Sequence, residues 1–489
     1  MKGQATRGQE APGAPGADAH WASAGKDAVG TSNTFESKVW FTLAGGALTE
    51  VYYPTVDVAN VQTLQFVVVS DNSRRVEVET KDTRHRIEIL DARALSFRQT
   101  NTALSGAYTL TKTYTVDPER STLLIDVRFR KLKGGPYSLY VYYDPSLNNS
   151  GRHDTAWTED GALLSSEVDK ASALLVSTRF DRITNGYLGT SDGLKELRAT
   201  GEIKNGYARA NDGNVVQLAR VASNDTFTLA LGFGRDKAEA LKNARASLSK
   251  GFDEARLEYE AGWHEYISGL QRVAPEYERQ YLMAAMVLKA HEDKTHRGAM
   301  IASLTAPWGG GPNANEANVG GYHLVWARDL YEVATAFMAM GDTAAARRAL
   351  DYLFTVQQKS DGSFPQNSWL DGRQFYGGIQ MDQVAYPLIL AFQLDRADKE
   401  TWTKHVKLAA DFLIRHGPMT GQERWEEETG YSPSTIAAEI AGLVCAAHIA
   451  RRNNDEASSA IYLAAADDWM RNLDRWTATS TGTHADRNY

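Results

Sequence analysis

Residues 422–433 read Gln-Glu-Arg-Trp-Glu-Glu-Glu-Thr-Gly-Tyr-Ser-Pro and set four carboxylates, Glu423, Glu426, Glu427 and Glu428, around one indole, Trp425. Like charges side by side raise one another's pKa, and an apolar wall such as a Trp raises it further. A carboxyl group kept protonated near neutral pH can act as a general acid. An acidic run is more often a solvated loop. The embedded Trp425, the Gly-Tyr-Ser-Pro turn behind it and two polar-aromatic loops upstream weigh against that plainer reading.

The first of those loops, residues 320–329, carries Tyr322, Trp326, Arg328 and Asp329. Arg donates up to five hydrogen bonds in a fixed fork and Asp accepts from paired hydroxyls, so the pair suits a polyol. A helix start with an N-terminal Asp and an aromatic staple accounts for the same residues equally well. The second, residues 369–382, holds Tyr376, Gly377, Gly378 and Asp382. The glycines allow close backbone approach, and Tyr376 suits the wall of a sugar subsite. The alternative is an ordinary loop with Asp382 in the first turn of the next helix.

Other chemistries find no support. The 11 His have no HExxH or paired spacing, the run at 309–312 lacks the Lys-Ser/Thr of a phosphate loop, and no Ser sits in a Gly-x-Ser-x-Gly context. No metal site and no cofactor are expected; a structural calcium built from scattered carboxylates and carbonyls would leave no motif. The single Cys445, in an apolar stretch, reads as a small core residue and excludes an intrachain disulfide.

These loops need elements to hold them. From residue 20 to 235 short strand-like runs (38–43, 48–54, 64–69, 76–80, 108–116, 122–130, 138–143 and 226–233) alternate with Asp/Asn/Gly/Pro turns. Many short strands without intervening helices predict an antiparallel sandwich. Near Asp236 the period changes, and residues 236–275 read as a helical connector. Seven helices with apolar residues at i, i+3, i+4 and i+7 follow, at 276–292, 326–340, 343–358, 381–394, 400–416, 434–451 and 455–476. Paired helices whose alternate loops carry Trp, Asp, Arg and Glu fit an α/α toroid, which gathers loops from one end over one cleft. Seven helices do not close a six-hairpin toroid, so residues 276–489 are read as its first part. Residues 1–19, with Pro and Gly in 11–17, read as a flexible leader.

Composition sets the outer limits. The apolar fraction is 43%, the charged fraction 23% and the formal net charge −8, with no Lys/Arg cluster, which argues against nucleic acid or an anionic membrane as partner. No run approaches the length of a transmembrane helix. Residues 1–7 have no apolar core behind them and are not a signal peptide. A secreted or periplasmic protein whose signal has been removed and a cytoplasmic one both fit. The 11 Trp and 22 Tyr suit stacking on sugar faces, though large cores use the same residues.

The residues Trp40-Phe41-Thr42-Leu43, Glu50-Val51-Tyr52-Tyr53-Pro54, Met300-Ile301-Ala302-Ser303, Pro307-Trp308-Gly309, Tyr322, Trp326-Ala327-Arg328-Asp329-Leu330, Gln380-Met381-Asp382 and Arg424-Trp425-Glu426-Glu427 together resemble the bacterial glucoamylase and glucodextranase group of glycoside hydrolase family 15. The resemblance covers most of the chain. It implies a β-sandwich followed by an (α/α)6 barrel. It makes Glu426 the general acid and gives Arg328 and Asp329 the hydroxyls of the terminal glucose. Tyr322 and Trp326 would line that pocket, Trp425 and Glu427 would belong to the substrate site, and Asp382 would shape the loop carrying the subsite aromatic. Tyr376 stands where a starch-cleaving enzyme would have Trp. The family's general base belongs to the last hairpin, counted here as beyond Tyr489, so no general base is named.

The expectation is therefore an inverting, exo-acting α-glucosidase releasing β-glucose from α-glucans, with α-1,6 linkages favoured over α-1,4. The alternatives are a dextran dextrinase type glucosyl transferase and a non-catalytic carbohydrate-binding fragment. A C-terminal remainder carried as a separate chain is a further expected partner.

Overall fold

The computed structural model describes residues 9–18, 20–21, 25–222, 225–304 and 321–479. Pro307-Trp308-Gly309, the glycine run at 309–312, residues 1–8 and residues 480–489 lie outside them.

Alternating β-branched and aromatic residues build seventeen strands among the described residues. They are β1 (Ala28–Thr31), β2 (Trp40–Ala44), β3 (Ala47–Tyr52), β4 (Val61–Ser70), β5 (Val76–Val78), β6 (Thr83–Asp91), β7 (Ser96–Ala103), β8 (Tyr108–Val116) and β9 (Thr122–Lys131). There follow β10 (Tyr137–Pro145), β11 (Asp154–Glu159), β12 (Ala162–Glu167), β13 (Lys170–Val176), β14 (Phe180–Tyr187), β15 (Arg209–Gly213), β16 (Val215–Val221) and β17 (Thr226–Gly234). Two short helices interrupt them, α1 (Glu79–Asp82) and α2 (Gly193–Thr200).

The strands form two antiparallel sheets. One runs β1-β2-β3-β4-β10-β16-β14, with β5 beside β4; the other runs β15-β11-β12-β13-β17-β9-β8-β7-β6. The period of two explains the core. On β9, Leu123, Ile125, Val127 and Phe129 enter the large cluster shared with Phe41, Phe66, Val68, Leu139 and Val141 of the first sheet, while Leu124 points to the other face. This is a sandwich with an apolar interior.

Three helices cover this unit: α3 (Lys237–Lys250), α4 (Phe252–Ser268) and α5 (Pro275–Ala290). Asp236 caps α3 by accepting from Glu239 N. Ala240, Leu241 and Ala244 of α3 pack on Leu124, Ala171 and Ala230. A Cβ on Gly232 would stand 2.6 Å from Ala244 N, so glycine lets the helix backbone lie directly on the strand. Tyr259, Trp263, Met286 and Ala290 of α4 and α5 join the sandwich core, and Trp40 Nε1 donates to Ala290 O at 2.8 Å. The first compact unit thus runs to Ala290 and, among the described residues, also takes in Ser303, Leu304 and Gly321. The described part of the leader is held by pairing: Ala11 N donates to Arg209 O at 2.8 Å, Ala17 N to Leu188 O at 2.9 Å, and Asn214 N to Pro15 O at 2.7 Å. Residues 11–17 are therefore bound to β15 and its neighbours, not a free leader.

The second compact unit comprises residues 291–302 and those from 322 onward. Its helices are α6 (Ala327–Met340), α7 (Thr343–Tyr352), α8 (Met381–Gln393), α9 (Lys399–Thr401), α10 (Lys407–His416), α11 (Pro433–Arg452) and α12 (Glu456–Thr477). Wide turns continue α7 through Leu353–Gln357 and join α9 to α10 through Trp402–Val406. Helices α6, α8 and α11 pack side by side, and α7, α10 and α12 alternate with them in the chain. α11 corrects one expectation: its 20 residues have a mean hydropathy of 1.4 over the best window, long and apolar enough to cross a membrane. With 61% of that window buried against its neighbours, it reads as a core helix. Cys445 on α11 is half-buried, and burial pushes its thiol up to about 11.

Candidate active site

Three helix starts bring the chemical side chains together. Trp326 caps α6 in an extended conformation and is 8% exposed. Its Nε1 donates to Glu426 Oε1 at 3.1 Å. Gln380, which caps α8, donates from Nε2 to the same oxygen at 3.3 Å. Two N–H donors thus orient one oxygen of Glu426, while Oε2 has no partner among the described residues.

The backbone of Glu426 is unusual. Its φ of +71° lies in the left-handed region, which costs a non-glycine residue roughly 1–3 kcal/mol and recurs at functional sites. The turn is held from both sides: Glu426 N donates to Glu423 O at 2.9 Å, and Gln422 Nε2 donates to Glu426 O at 2.9 Å. Glu423 Oε1 accepts from Trp425 N at 2.7 Å, so this carboxylate serves the turn.

Arg328 is the hub of the three starts. Its Nη1 donates to Gln380 Oε1 at 2.6 Å and to Asp382 Oδ2 at 3.0 Å, and its Nη2 to Arg424 O at 3.2 Å. Three of its five donors therefore tie α6 to α8 and to the acid loop, leaving two for a ligand. Asp382 partners this guanidinium, and in the loop before it Asn367 Oδ1 accepts from Tyr376 N at 3.0 Å. Asp329, in the first turn of α6, has its carboxyl pushed up by burial; Arg328 opposes this, and Glu332 and Glu426 add to it.

Tyr322 is 54% exposed and stands 6.3 Å from Trp326, ring to ring. Tyr376 is 53% exposed, edge-on to Phe375 at 4.6 Å. It lines a cavity of about 700 Å³ with Gly378, Gln422, Glu426 and Glu427. Tyr322, Trp326, Arg328 and Asp329 do not line that cavity. A Cβ on Gly378 would lie 2.4 Å from Gln422 Oε1 and 3.0 Å from Gln366 Oε1, so the close approach foreseen there is to glutamine amides.

Trp425 departs from expectation. It is 73% exposed, with the Arg424 guanidinium over its ring at 5.2 Å, and the indole that touches Glu426 is Trp326. Sequence reading gave no role to Gln380, Gln383 or Gln422. Gln383 Oε1 accepts from Arg328 N at 3.2 Å, and its Nε2 donates to Gln380 Oε1 at 2.9 Å. It also passed over Glu439 on α11, which is fully buried with both carboxyl oxygens unpartnered among the described residues. Burial, with Asp382 nearby, pushes its carboxyl up to about 9.

Residues 11–268 match the family "Glucodextranase, domain N", and residues 276–362 and 355–489 match "Glycosyl hydrolases family 15". A glucoamylase from Clostridium sp. (strain G0005) is 41% identical over 476 residues, covering 96% of this chain and 67% of its own length. The chain belongs to glycosyl hydrolase family 15. It is accordingly a glycoside hydrolase, and the family's sandwich-then-helices order is the one described above. A crystal structure of a bacterial glucoamylase complexed with acarbose superposes with a TM-score of 0.93 at 39% identity, over 98% of this family 15 chain and 71% of that one. An inverting mannosidase of family GH92 from Bacteroides thetaiotaomicron shares the fold at a TM-score of 0.52 and 9% identity, over 92% of this chain and 62% of that one.

Proposed function

We propose that this hydrolase is an inverting, exo-acting α-glucosidase that removes β-glucose from the non-reducing ends of α-glucans. The observation that carries the reading is the carboxyl of Glu426, held at Oε1 by Trp326 and Gln380 with Oε2 open. Glu426 is the general acid: its Oε2 carries the proton to the glycosidic oxygen as the bond breaks. Asp329 and the two spare donors of Arg328 take the hydroxyls of the terminal glucose, with Tyr322 and Trp326 as apolar walls. Tyr376, Trp425 and Glu427 contact the leaving sugar. Inversion needs a second carboxylate roughly 6.5–9.5 Å from the acid to activate water on the opposite face. No described residue is assigned to it.

The acarbose-bound neighbour and the Clostridium glucoamylase support an α-1,4 glucan as substrate. The match of residues 11–268 to a glucodextranase domain supports the α-1,6 reading as the second. Incubation with maltotriose and, separately, isomaltotriose tests both. β-Glucose released one unit at a time from one trisaccharide is the expected result and chooses the linkage. α-Glucose would remove inversion, and products longer than the substrate would replace hydrolysis by glucosyl transfer.

A further inference from the structure

The outer face of the second sheet is only partly covered. Leu124 and Ala230 lie under Ala240, Leu241 and Ala244 of α3. Beyond that cover the same face of β6 to β9 turns polar, and strand pairing sets its side chains in rows. Glu88, Arg98, Thr113 and Asp126 stand opposite one another in turn across the four strands, and so do Arg86, Thr100, Thr111 and Arg128. Residues directly opposite in a sheet share a face. Leu110, Tyr114, Val127 and Phe129, which alternate with them, enter the sandwich core.

All of these polar residues except Arg86 line a cavity of about 390 Å³. Thr113 is 8% exposed, and among the described residues its hydroxyl has no hydrogen-bond partner; neither has the guanidinium of Arg98. Asp126 is half-buried. Burial pushes its carboxyl up, Arg128 opposes this, and Asp253 at the start of α4 adds to it. Arg128 Nε stands 3.6 Å from Asp126 Oδ2, beyond hydrogen-bond length, so the carboxylate keeps acceptors to spare. A sheet face that only meets water needs polar side chains. It does not need a concavity lined by an unpartnered, nearly buried hydroxyl and a half-buried carboxylate.

The lining has no aromatic or aliphatic residue, whereas sites for ordinary organic ligands are mostly apolar. Its two guanidinium groups are matched by two carboxylates, so a charged ligand gains little there. Carboxylates accept, guanidinium groups donate and hydroxyls do both, while the methyl groups of Thr100, Thr111 and Thr113 offer apolar contact. The matching ligand is neutral and carries many hydroxyls on a C–H framework, as a carbohydrate does. Rows repeated on strands roughly 4.7–4.9 Å apart present similar groups several times over, which suits a chain of repeating units. We propose that the polar face of β6 to β9 binds a stretch of α-glucan chain. All of its residues belong to the first compact unit, which carries none of the groups assigned to the reaction. The choice of α-glucan rests on the reading of the chain as an α-glucosidase.

The test is electrophoresis of the full chain in native gels with and without soluble starch, dextran or heparin, beside the variants Arg98→Ala and Thr113→Val. Thr113→Val keeps size, branching and charge and removes only the hydroxyl. Starch or dextran retards the parent. The dissociation constant of each variant for that glucan, taken from mobility relative to the glucan-free gel, rises roughly three- to tenfold, the size of one or two hydrogen bonds. Both variants keep the parent's kcat/KM on maltotriose or isomaltotriose. The inference is overturned if neither glucan retards the parent, if either variant holds the glucan as tightly as the parent, or if heparin alone retards the chain. Failure of the glucosidase reading looks different: the parent then cleaves neither trisaccharide, and the choice of α-glucan as ligand falls with it.

Discussion

Glu426 keeps one oxygen under two N–H donors, and this arrangement makes the contribution of each donor measurable. Trp326→Phe preserves the ring and deletes the donor. The carboxylate of Glu426 gains charge as its proton leaves, and a hydrogen bond to a charged group is worth roughly 1.5–3 kcal/mol, so kcat should fall by roughly ten- to a hundredfold with little change in KM. A matching rise in KM at unchanged kcat would assign Trp326 to substrate packing alone. Arg328→Lys keeps the charge but cannot reach Gln380, Asp382 and Arg424 O together. It should lower both thermal stability and kcat/KM, and an unaltered melting temperature would remove Arg328 as the hub. The acid loop and the Trp-x-Arg-Asp start were legible because carboxylates, Trp and Arg in runs carry a chemical pattern. Gln380 and Gln383 were not, because an amide is an ordinary helix residue until its partners are known. The choice of Trp326 over Trp425 as the indole beside the acid is a matter of tertiary contact that no spacing encodes.

At the scale of elements, the helix starts were readable from period and caps, and the strands between residues 83 and 103 and from 154 to 221 were largely missed. Of those strands, β6, β7, β11, β14 and β15 are rich in Thr, Arg, Asn and Asp, and their polar outward positions dilute the apolar alternation on which a sequence reading depends. Glu439 left a signal in α11 that went unused: it falls on the face defined by Ile436, Ile440 and Leu443, at core spacing. Its carboxyl ionises at the ordinary 4.5 when unfolded but near 9 when folded. Stability from the neutral folded form is whole below about pH 4.5 and is lost progressively as pH rises toward 9. Glu439→Gln removes this dependence, so its melting temperature should gain on the parent steadily between about pH 5 and pH 9. A difference constant across that range would refute the buried neutral acid.

For the whole molecule, the change of pattern near Asp236 marked where strands give way to helices, but not where the first core ends. The apolar stripes of α4 and α5 look alike in sequence whether they face a sheet or other helices, and only packing assigns Trp263 and Met286 to the sandwich. A fragment of residues 9–290 should melt cooperatively by circular dichroism. One of residues 9–235 loses those side chains from its core and should aggregate or melt without a transition. Equal behaviour of the two would place the boundary at the last strand. The proposed reaction turns on the proton of Glu426, and the most direct measurement compares two substrates of the Glu426→Gln chain. An α-glucan oligosaccharide has a leaving group that needs protonation, whereas α-glucosyl fluoride has one that needs little. The variant should lose oligosaccharide turnover by roughly a hundred- to ten-thousandfold, the usual range for general acid catalysis, while keeping most of its turnover of the fluoride. Equal losses on both substrates, or near-normal turnover of the oligosaccharide, would contradict the assignment of Glu426 as the general acid.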